Sequence, residues 1–341
     1  MNWAEAPRFS VHKPEIAFAR ALRVLALASS FFVALSILGC ERRADPAPAP
    51  QLPALEYADA WGARGKDPGQ LESPVGIAAD GYGNVFVVDA ATLSVNKFSA
   101  KGEPLLSFGY AALTHPEGIA VDRGGGIYVS VGSRVLVFWP EGDFLRSTNG
   151  GPRALLREAS GIAVSDAGDF YVVDRAACRV EAFGWRNRYL RFLRVWGKCG
   201  SDDGEFIAPS GVAVGRDGSV FVADAGGARV QEFSSDGAFV ASFGQAPRPD
   251  AADTRRAAHN QTIVAAVAVS PRNVFSAGDA ASPLRAWSLD GKEIPLDSDV
   301  LQAAHLTPDF HAAALAYDFH SGDLLLLDAH ACRVLRIHLH L

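Results

Sequence analysis

From about Leu55 onward the apolar positions come in short bursts of four to six residues, rich in Val, Ile and Phe, separated by Gly and Asp turns. That spacing is too short for helices and suits strands buried on both faces. The bursts also repeat. A first strand recurs as Gly76–Asp80, Gly118–Asp122, Gly161–Ser165, Gly211–Gly215, Ala266–Ser270 and Ala314–Asp318. A second recurs as Val85–Asp89, Ile127–Ser130, Phe170–Asp174, Val220–Asp224, Val274–Gly278 and Leu324–Asp328. Successive copies are 42 to 55 residues apart, and each holds four strands' worth of pattern, the size of one propeller blade.

The running pattern is Trp/Phe-Gly, Pro-x-Gly-Ile-Ala-Val-Asp, Gly, Val-Phe-Val-x-Asp, Arg-Val-x-x-Phe. It resembles the NHL repeat across roughly Leu55 to Leu341, most closely in copies 1 to 4. The resemblance implies an all-β, six-bladed β-propeller. The ends of the chain say how the ring closes. The last copy stops after a third strand, Arg333–Leu341, whereas Leu55–Gly62 reads as a fourth strand without a blade of its own. Leu55–Gly62 is therefore expected to complete the last blade, removing the open edge.

The first 54 residues do not share this pattern. Arg20 and Arg23 precede an apolar run, Val24–Leu38, that leads into Gly39-Cys40. The run suits a signal peptide better than a membrane span. Gly39-Cys40 resembles a lipobox, which implies removal of residues 1–39 and acylation of Cys40. Residues 40–54 follow as a Pro/Ala-rich tether, and 55–341 as the propeller. This organisation predicts a chain anchored to a bacterial membrane by lipid alone, with its propeller on the non-cytoplasmic side of the cell envelope. Net charge is −6. Losing the first forty residues removes four Lys/Arg and two Asp/Glu, leaving 28 against 36, or −8. An acidic domain without a basic stripe is a poor partner for nucleic acid. A monomer is expected.

Candidate chemistry is sparse. Asp174 with Arg179, Asp224 with Arg229, and Asp328 with Arg333 recur five apart across the corner between strands two and three. The fifth copy has Gly278 and Pro283 in those slots. They read as structural ion pairs that serve each other. Cys178 opens a third strand and Cys199 follows the end of the neighbouring fourth strand, so the two are within disulfide reach. Cys332 shares the slot of Cys178 but faces Arg64 and should stay free.

Some NHL-like propellers are lyases or lactonases with a metal in the central tunnel, held by residues near strand one. Here the positions just before strand one are Val75, Glu117, Ser160, Ser210, Ala265 and Ala313. Only Glu117, beside His115, resembles a metal ligand, and no cofactor is expected. His115, Glu117 and Ser210, expected around the tunnel mouth, and His305, His311 and His330, in the last blade and the loop leading to it, remain as ligand-binding candidates. Two long connections, Gln245–Thr262 and Pro295–Asp309, should emerge on the face carrying the Asp/Arg corners. The leading expectation is a propeller that uses this decorated face to bind a protein, peptide or glycan. A metal-dependent lyase or lactone hydrolase is the alternative, and a structural envelope component the third.

Overall fold

The computed structural model describes residues 54–340 apart from 152–153, 188, 245–263, 279–283, 297, 304–305, 307–309 and 311. The segments expected to be a signal peptide (1–39) and a tether (40–54) therefore lie outside the described residues, Ala54 excepted. Within them, six four-stranded antiparallel sheets follow one another as blades, with the first strand of each packed beside the first strand of the next. Blade 1 illustrates the plan, with strands Pro74–Ala79, Val85–Asp89, Ser94–Phe98 and Pro104–Phe108. Its second strand is wholly buried, as a strand covered on both faces must be. Large aromatic side chains such as Phe86, Phe138, Phe183, Phe233 and Trp287 fill the wedges between blades.

The last blade holds three strands from the C-terminal end, Ala312–Asp318, Asp323–Asp328 and Arg333–His340, and one from the N-terminal side, Ala54–Trp61. Ala54 lies opposite His340 and Trp61 opposite Val334. The ring thus closes with the strand expected from sequence.

Two faces follow from the strand directions. The top carries the connections from strand two to three and from strand four to the next blade. The bottom carries the turns from strand one to two and from three to four. Ala54, facing the end of the strand Arg333–His340, places the chain's entry into the propeller on the bottom rim.

Four top corners, those of blades 1, 3, 4 and 6, are built around an aspartate, whereas blades 2 and 5 end the same strand in Val131 and Gly278. Asp174, Asp224 and Asp328 pair with Arg179, Arg229 and Arg333 at 3.0, 3.1 and 3.1 Å. The carboxylates also accept backbone N–H groups from the strand entering the blade: Arg157 and Glu158 for Asp174, Ile207 and Ala208 for Asp224. Blade 1 modifies the idea of mutual service. Asp89 has Ser94 in the arginine slot, yet it takes the N–H groups of Glu72, Ser73, Ala91 and Thr92. Capping the incoming backbone is the common role, because buried N–H groups need a partner, and the arginine is an addition.

Cys178 and Cys199 form a disulfide with Cα atoms 4.9 Å apart. Cys332 is buried and free. Cys199 bridges Phe206 as Arg64 bridges Leu71, so Arg64 does occupy the equivalent slot. Its guanidinium donates to the His330 carbonyl at 2.8 Å.

Candidate functional site

The first strands line a central tunnel. Each contributes one apolar side chain at the same repeat position: Ile77, Ile119, Ile162, Val212, Val267 and Leu315. These six belong to the walls of two chambers and mark the waist between them. The glycine before the isoleucine lets the inner strands approach. A Cβ on Gly161 would stand 2.6 Å from the Ser210 carbonyl oxygen, and one on Gly118 would stand 2.7 Å from that of Ser160. The tunnel wall is therefore backbone and small apolar groups, and polar chemistry is confined to the two mouths.

The top chamber is the smaller, about 210 Å³. Glu117 and Ser210 line it, as does Arg175, which was not read as a site residue from sequence. Arg175 donates to Glu117 at 2.8 Å and to Glu158 at 3.1 Å, bridging blades 2 and 3 across the mouth. The serines are occupied structurally. Ser160 donates its hydroxyl to the Ser210 carbonyl at 3.1 Å, Ser210 donates to the Ala223 carbonyl at 3.3 Å, and Ser130 donates to the Ser160 carbonyl. These bonds lace blades 2, 3 and 4 together.

Of the histidine candidates, His115 and His330 do not join this site. His115 is exposed outside the chamber wall, in a left-handed backbone conformation (φ 57°), its carbonyl accepting the Gly132 N–H. His330 is exposed on the corner of blade 6, its N–H donating to Asp328. His305 and His311 lie outside the described residues. Among the described residues no group of three or more His, Cys, Asp or Glu could hold a metal. The donor set at the top mouth does not fit one either: its carboxylate is spent on Arg175 and its hydroxyls on carbonyls.

The bottom chamber is larger, about 530 Å³. Its rim is set by the residue that follows the first-strand motif: Gly81, Arg123, Asp166, Arg216, Pro271 and Phe319 in blades 1 to 6. Arg123 grips Asp166 of the next blade through two bonds, one of 2.9 Å from Nε. Arg216 of blade 4 lies over the Phe319 ring of blade 6 at 4.8 Å. Phe319 meets Tyr317 edge to face at 4.7 Å. Tyr317 occupies the slot filled by Ala79, Val121, Val164, Val214 and Val269 in the other blades. Burial raises its phenol above the usual value, with Arg216 opposing the shift.

The acids at this mouth are mostly engaged. Asp80 accepts from the backbone of Tyr82 and Asn84, and Asp122 from that of Gly124 and Gly126. Asp217 and Asp318 bond Ser219 and Ser321. The signal for this rim was present in the aligned repeats, one position beyond the motif.

The NHL repeat family matches residues 206–233. A structural-genomics protein of unknown function from Bacteroides thetaiotaomicron VPI-5482 superposes with a TM-score of 0.59 at 15% identity, over 84% of this chain and 76% of that one. A streptogramin B lyase superposes at 0.51 and 10% identity, over 85% and 98%. A chain of a nidogen/laminin complex reaches 0.49 at 19% identity, over 65% and 78%. These likenesses are of fold. No curated protein matches the sequence.

Proposed function

We propose that this six-bladed propeller with an NHL repeat is a lipid-anchored binding protein of the bacterial cell envelope, holding a protein, peptide or glycan on its top face. One observation carries the reading: the chain enters at the bottom rim, at Ala54, while the long connections into blades 5 and 6 leave from the top. A lipid on Cys40 would attach the propeller by the rim opposite its decorated face. The connection into blade 6 is a built feature, since its helix Ser298–Ala303 packs Leu301 on the core, with Leu306 and Phe310 buried behind it. Decorated connections on a rigid scaffold are where binding surfaces arise.

Two measurements test this. Palmitate labelling should mark the native chain and be lost in Cys40→Ala. An envelope pull-down should lose its partner when residues 246–261 are replaced by a Gly/Ser segment and keep it when Arg216 is changed. An unlabelled native chain, or a partner retained without that segment, defeats the respective half. The alternative of a metal-dependent lyase or lactone hydrolase gains nothing from the donors at the top mouth.

A further inference from the structure

We propose that the bottom chamber binds a small organic carboxylate, its apolar body against the tunnel waist and its carboxylate on the Arg216 guanidinium. This site lies on the face opposite the proposed partner-binding surface and stands or falls separately from it.

Three observations converge. The chamber, about 530 Å³, has the volume of a small-ligand site, and its floor is the ring of Ile, Val and Leu side chains at the waist. An apolar body is what such a floor can take from water.

The second observation is a charge inventory. Arg123 is neutralised by Asp166, and Asp80, Asp122, Asp217 and Asp318 are bonded to their own turns. Arg216 differs. It is exposed at the rim, and no carboxylate bonds it among the described residues. Its guanidinium lies over Phe319, which holds the cation by its ring face while leaving the N–H edge available. That edge matches a planar carboxylate, which a guanidinium binds through two parallel bonds.

The third is Tyr317. Blade 6 alone puts an aromatic ring where the other five have Ala or Val, and that ring lines the same chamber and braces Phe319. Two aromatic rings, one unpaired guanidinium and an apolar floor suit an amphipathic monocarboxylate. A tetrahedral oxyanion such as phosphate would leave the floor unused.

The experiment is a fluorescence titration of the full-length chain with 2-naphthoate, with its uncharged isostere 2-naphthamide alongside and a detergent blank subtracted. Saturable one-to-one binding of 2-naphthoate is expected, with the amide about tenfold weaker or more. Arg216→Gln should bring the carboxylate down to the amide's affinity without moving the thermal unfolding midpoint, since the side chain is exposed. Phe319→Ala should weaken the carboxylate by a smaller factor. Equal affinity for the two probes, undiminished binding in Arg216→Gln, or displacement of 2-naphthoate by equimolar inorganic phosphate would each overturn the proposal.

Discussion

Arg229 donates its Nε–H to Asp224 Oδ2 at 3.1 Å with both side chains buried, and its Nη1 and Nη2 donate to the carbonyls of Ser201, Asp202 and Glu205. The carboxylate meanwhile holds the N–H groups of Ile207 and Ala208. Asp224→Ala would strand a buried cation and two backbone donors together, at a cost of about 3–5 kcal/mol. Asp89 separates the two roles, since it caps four backbone groups without an arginine. Asp89→Ala is expected to cost about 2–3 kcal/mol in urea unfolding. A cost near zero there would mean the carboxylates matter only as arginine partners.

The Cys178–Cys199 bond closes a loop of sequence separation 21, worth about 3 kcal/mol by the chain-entropy estimate. Reduction should lower the unfolding midpoint accordingly. Cys332 is buried, and burial pushes its thiol pKa up, so it should resist alkylation until the chain unfolds. With Cys40 acylated, denatured unreduced protein should then yield one reactive thiol. Three would refute the bond.

The blades were legible because Gly-Ile-Ala-Val-Asp recurs, its first three positions varying only among Gly or Ala, Ile, Val or Leu, and Ala, under the same packing constraint in every copy. Ring closure was legible for a related reason, since a fourth strand at one end and a missing one at the other can be counted. The bottom rim escaped notice because its position varies freely: Arg123, Asp166, Arg216 and Phe319 obey no common rule. Contacts such as Arg216 over Phe319 join blades 4 and 6, and only ring geometry brings those together. The described histidines near the C-terminus have local partners or face outward. His338 pairs with Asp323 at 2.6 Å and His340 with Glu56 at 2.9 Å on the outer strands, and His330 turns outward at a corner.

Tyr128 ties blades 2 and 3. Its hydroxyl donates to Asp122 at 2.9 Å and accepts from Trp185 Nε1 at 2.8 Å. Burial, reinforced by the Asp122 charge, raises its pKa well above the usual phenol value. The group is therefore neutral in the folded state while its unfolded counterpart ionises near pH 10. Its contribution is fully present below that pH and is lost as pH rises, by about 1.4 kcal/mol per unit. Tyr128→Phe should cost about 1–2 kcal/mol at pH 7. It should also flatten the fall in urea midpoint between pH 9 and 11 relative to the native chain. An unchanged slope would place the titrating group elsewhere.

Ring closure is the most exposed of these expectations. The strand Ala54–Trp61 buries Leu55 in a cluster with Leu335 and Ile337, and lays Trp61 under Arg336, whose guanidinium is 4.7 Å from the ring. His340 bonds Glu56 across the same seam. Removing residues 1–53 takes away none of these contacts and should leave the unfolding midpoint where it was. Removing residues 1–61 takes them all and uncovers the strand Arg333–His340 as a free edge, which invites association with a second chain. The expected result is a fall in midpoint on the order of 10 °C, together with larger species in gel filtration. A peptide of residues 54–62 supplied in trans should reverse both, because an added strand can restore the edge hydrogen bonds as well as the side-chain contacts. If the two truncations melt at the same temperature and elute alike, the seam between Ala54–Trp61 and Arg333–His340 does not hold the ring.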